Sequence, residues 1–66
     1  METQQDLIEE FDNLMQAGLD DLAVDDQENA TSWFTDAAYV LNKIEDTNLK
    51  NELANKYTVN PLDFAQ

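Results

Sequence analysis

A chain of 66 residues makes one domain at most, with a core near the lower limit of what folds unaided. It has no Cys and no His, which excludes disulfides, thiolate or imidazole metal sites and nucleophile–histidine catalysis. Fifteen Asp and Glu against three Lys give a formal charge of −12, which repels nucleic acid and anionic membranes and attracts basic protein surfaces.

Strong acidity is also a mark of disorder, but 42% of the residues are hydrophobic and they fall at helical spacing. The expectation is therefore an all-α domain over residues 1–66: a small bundle of two long helices, a short third helix and an extended C-terminal tail. No apolar run approaches the roughly 18 residues of a membrane span. The opening METQQDLIEE has no basic n-region, so the expected location is cytoplasmic.

The first helix is predicted over about 4–23. Leu7, Ile8, Phe11, Leu14, Met15, Gly18, Leu19 and Leu22 repeat at i, i+3, i+4 and i+7. Thr3 suits the N-cap, with Asp6 completing an approximate capping box. Gly18 falls on the apolar stripe and reads as a point of close approach for another helix.

AVDD at 23–26 reads as a junction, with Asp25 or Asp26 capping a second helix over about 26–45. Its stripe is Ala30, Trp33, Phe34, Ala37, Ala38, Leu41 and Ile44. Carried further, that stripe would bury Asn48 and Glu52, which is costly without partners. A turn at EDTN restores the phase, with Asp46 or Thr47 capping a third helix over about 48–57 lined by Leu49, Leu53 and Tyr57. Pro61 and the restriction it places on Asn60 end the helical part. In the tail, 58–66, Val59, Leu62 and Phe64 are apolar enough to plug the end of the bundle or to dock in a partner's groove.

These helices carry more apolar surface than one hairpin covers. A homodimer is the expected state, with Gly18, Ala37 and Ala38 as its close-packing points.

Little in the sequence points to chemistry. Acid–base catalysis needs two carboxyls in a shaped cleft, and a bundle of this size has little room for one. No enzymatic activity and no cofactor are expected. A calcium loop read from Asp25 puts Ala30 where Gly is needed and Asp36 in place of the terminal Glu, so it fails. With one Gly there is no phosphate-cradling loop, and no basic patch is present for nucleic acid. Lys43, Lys50 and Lys56 read as local surface partners of Asp36, Asp46 and Glu52.

The acidic residues are the candidate site. Residues 1–28 carry Glu2, Asp6, Glu9, Glu10, Asp12, Asp20, Asp21, Asp25, Asp26 and Glu28, with no Lys or Arg. On the first helix several lie three or four residues apart off the apolar stripe, about one turn of roughly 5.4 Å along one side. A charge of −12 exceeds the roughly 2–8 units that solubility asks of a small domain. Glu9, Asp12, Asp20, Asp21, Asp25, Asp26 and Glu28 are therefore the expected partner-binding residues. The expected partner is a basic protein of the nucleic-acid-binding kind, whose phosphate sites the carboxylates would occupy in the manner of a DNA mimic. The alternative is a structural or adaptor subunit held by its apolar helix faces and by Leu62 and Phe64, with Trp33 as a further contact.

Overall fold

The computed structural model describes residues 3–64. Three α-helices, α1 (Gln4–Ala23), α2 (Gln27–Asn42) and α3 (Thr47–Ala54), are followed by a 3₁₀ turn at Pro61–Phe64. The all-helical architecture and the order of two long helices and one short one are as the periodicity predicts. The tail is not extended throughout, because its apolar residues wind into the 3₁₀ turn and pack on α2.

Each helix begins where a side chain can take up its free N–H groups. Thr3 and Asp6 form a reciprocal capping box on α1. Asp26 accepts from the backbone of Asn29 at the head of α2, and Asp46 accepts from those of Asn48 and Leu49 at the head of α3. The α1–α2 junction holds the one positive-φ residue among those described, Asp25 at φ 61°. The Asp26 N–H donates to the Asp21 carbonyl at 2.9 Å and the Asp25 N–H to the Leu22 carbonyl at 3.0 Å. This is a Schellman closure in which Asp takes the left-handed place usually given to Gly. One three-residue turn thus ends one helix and caps the next.

Two helices stop short of their expected ends. The chain turns at residues 43–46, ahead of Asp46, so α2 ends at Asn42 rather than near residue 45. At Asn55 the side-chain amide donates to the Asn51 carbonyl, and α3 ends at Ala54 rather than near residue 57. Lys56 and Tyr57 are thereby released from the helix to turn toward α1.

The core contains Leu7, Phe11 and Met15 of α1, Phe34, Ala37 and Leu41 of α2, and Leu53 and Ala54 of α3. Because α2 packs against α1, α3 and the 3₁₀ turn, its buried arc is wider than one stripe and takes in Val40 as well. Leu22 is exposed, since it lies in the last turn of α1 beside the junction. Gly18 is a close-approach point within the chain: a Cβ built there would lie 2.5 Å from Cε1 of Phe34. Behind that ring stands Phe64, with centroids 5.3 Å apart. Gly18, Ala37 and Ala38 are all buried in the chain's own packing, so they are not the points at which a second copy could pack.

Candidate functional site: an acidic face centred on Trp33

Trp33 has the phase of a core residue, yet it is 38% exposed. It sits at the margin of the buried arc of α2, where a ring this large reaches past the helix contact. Its indole N–H donates to Oδ2 of Asp21 at 2.9 Å, which holds the ring against α1 and satisfies its one polar atom.

Two open hollows meet at this ring, with volumes of about 520 and 500 Å³. Ala17 and Trp33 line both. Asp20, Asp21 and Asp36 surround the first, and Asp6, Glu9 and Glu10 the second. Among the described residues no lysine lines either hollow. From Asp6 to Asp20 these acids extend along about 21 Å of α1, at 1.5 Å per residue. The result is an apolar floor between α1 and α2 with six named carboxylates around it.

Of the expected partner-binding residues, Glu9, Asp20 and Asp21 belong to this face. Asp25 and Asp26 instead build the junction: Asp25 is the left-handed residue and Asp26 the cap of α2. Glu28 is exposed in the first turn of α2 and lines neither hollow. Glu2 lies outside the described residues.

Asp12 is occupied elsewhere. On the other edge of α1 its Oδ1 accepts from the Tyr57 hydroxyl at 2.6 Å and from Lys56 Nζ at 3.1 Å. The Lys56 amine also stands 5.3 Å from the Tyr57 ring centroid, and Tyr57 leans on Phe11 at 6.0 Å. Lys56 therefore pairs across 44 residues rather than locally. The hydrogen bond to Asp12 raises the Lys56 pKa above its ordinary 10.5. Burial raises that of Tyr57 above 10.0, and its bond to Asp12 adds to the rise.

The tail contacts fall on the chain itself. Pro61 is buried, Leu62 is half-buried against the core, and Phe64 packs on Phe34. Asn60 holds the turn by accepting the Leu62 N–H on its side chain.

Asp6, Glu10, Asp36 and Trp33 were not in the expected set. A signal for two of them, Asp6 and Glu10, exists in the i, i+4 series Asp6–Glu10 and Ala17–Asp21, which runs along one edge of α1. The position of Trp33 at the border of its stripe, next to Ser32, is a weaker one. Asp36 becomes part of the face only through the packing of α2 on α1.

Among the described residues no group of three acids is placed to hold one metal ion, and no helix is long and apolar enough to cross a membrane. No protein-family model matches the chain, and no curated protein or solved structure matches it either.

Proposed function

We propose that the protein is a binding module without a reaction of its own, which occupies the basic surface of a nucleic-acid-binding protein. The observation that supports this is the Trp33 face, where six carboxylates surround an apolar floor and, among the described residues, no lysine lines either hollow. Like charges this close repel, at a few tenths of a kcal/mol for each helical pair, and a cationic partner relieves that repulsion. The molecule is 33 Å in its longest dimension, close to one turn of duplex DNA at about 34 Å. Carboxylates along the roughly 21 Å of α1 from Asp6 to Asp20 would take the places of phosphates, steer the encounter and block the site. The adaptor alternative is less well supported, since Leu62 and Phe64 rest on the chain's own core.

The test uses the immobilised protein and a triple variant, Glu9→Gln, Glu10→Gln and Asp20→Asn, which leaves the caps and the Asp21–Trp33 bond in place. The parent should retain basic nucleic-acid-binding proteins at low salt and release them to a short DNA duplex or to raised salt. The variant should retain them at least about tenfold less well, as expected when several interface charges are lost together. Retention that neither the duplex nor the triple variant alters would overturn the proposal.

A further inference from the structure

The acidic face has a large aromatic at its centre, and charge alone does not account for it. The buried part of the indole supports the packing of α2 on α1, while 38% of the residue is left facing solvent inside the acidic rim. The indole N–H is already satisfied by Asp21, so what the ring offers outward is its apolar surface and its π-system. Carboxylates stand on both sides of it, and the small Ala17 leaves the floor open to either hollow. The cation–π contact within the chain, Lys56 over Tyr57, lies on the opposite edge of α1.

Taking the acidic face as the binding surface, we propose that it receives an arginine-bearing segment of the basic partner, with one guanidinium stacked on the indole of Trp33. Three properties of the site favour arginine over lysine. A guanidinium is planar and can lie flat on a ring, whereas an ammonium is a point charge. It is more weakly hydrated, so it loses less on leaving water for an apolar floor. Its forked N–H groups can donate to carboxylates while the plane stacks, and here carboxylates border the ring in both hollows. Hollows of about 500 Å³ lie within the roughly 300–1,000 Å³ that sites for small groups occupy. Asp21 thereby acts as a positioning residue, fixing the ring on which the cation rests.

The probes are two synthetic helical peptides of equal length and charge, one with arginine and one with lysine at every basic position. Trp33 is the only Trp in the chain, so its emission reports this site alone. The arginine peptide should bind about two- to thirty-fold more tightly, the span of one cation–π contact from exposed to desolvated. It should also shift the Trp33 emission and shield it from acrylamide. Trp33→Leu should abolish the preference for arginine, bringing the two peptides to the same affinity. Equal affinities for the two peptides, with the Trp33 emission and its quenching unaltered, overturn the inference and leave the acidic-face proposal standing. Failure of both peptides to bind at low salt overturns both. The emission and quenching of the unsubstituted protein decide the matter even where Trp33→Leu fails to fold.

Discussion

The two edges of α1 carry the same kind of residue in opposite circumstances. On the edge toward Tyr57, Asp12 accepts two hydrogen bonds and meets a lysine, so its charge ties distant parts of the chain together. On the edge toward Trp33, among the described residues, Asp6 meets only its own capping partner Thr3, Glu9 and Asp20 only the neutral amides of Gln5 and Gln16, and the indole beside them is bonded to Asp21. One edge is closed by the protein itself and the other is left open. The role of an acid here follows from what the fold brings to it, and a count of acids along the chain does not separate the two cases.

Aromatic truncation should separate the edges most strongly. Phe11 is fully buried beneath Tyr57, and Phe11→Ala should cost about 3–5 kcal/mol. For 66 residues at about 0.05–0.15 kcal/mol each, the whole stability is about 3–10 kcal/mol, so this one substitution should remove at least about a third of it. Trp33→Ala should cost about 1–2 kcal/mol, since more than a third of the ring is already in water. Urea melts followed by circular dichroism measure both, and equal losses would erase the contrast.

Charge removal comes next in size. Asp12→Ala strips two donors of their acceptor and should cost about 1–2 kcal/mol, at the lower end for bonds to a charged group because Lys56 is half-exposed. Glu10→Gln should leave stability unchanged or raise it by a few tenths of a kcal/mol, because it relieves repulsion. Chemical denaturation of the two variants side by side reads the difference. A loss in Glu10→Gln as large as that in Asp12→Ala would mean that the open edge is structural too.

The smallest effect sharpens the comparison through pH. Lys56 and Tyr57 both have folded pKa values above their ordinary 10.5 and 10.0. A raised folded pKa stabilises fully below the unfolded value and ceases to do so as pH rises through the folded one. The stability of the closed edge should therefore be constant up to about pH 10 and decline above it. Melting temperatures of the parent and of Asp12→Ala should converge over that range, whereas Glu10→Gln should track the parent. A gap between parent and Asp12→Ala that stays constant past about pH 11 would contradict the assignment.

Much of the fold can be read from local chemistry. Thr3, Asp26 and Asp46 are caps within three residues of the groups they serve, and the apolar stripes repeat within each helix. What could not be read depends on residues far apart in the chain. The withdrawal of Asp12 to Tyr57 spans 45 positions, and the burial of Val40 depends on α2 being covered by several elements at once. The candidate site divides in the same way. Glu9, Asp20 and Asp21 are recognisable from the run of acids on one helix, whereas Asp36 joins them only when α2 is laid against α1. Trp33 was misplaced in the core because a period marks the centre of a stripe well and its margin poorly.

The turn at Val24–Asp26 has a consequence for the order in which the molecule assembles. It joins the two longest helices with almost no loop to close, so their pairing carries little closure entropy and can lead folding. The Tyr57–Asp12 bond must gather 45 residues and belongs to the last step. The expected transition state therefore holds the α1–α2 hairpin formed and the C-terminal third still loose. Substitutions at Ala30 or Phe34 should slow folding, and those at Tyr57 should mainly speed unfolding, as φ-values would register. The edge that folds last would then be the one the protein closes for itself, and the Trp33 face would already be in place before it.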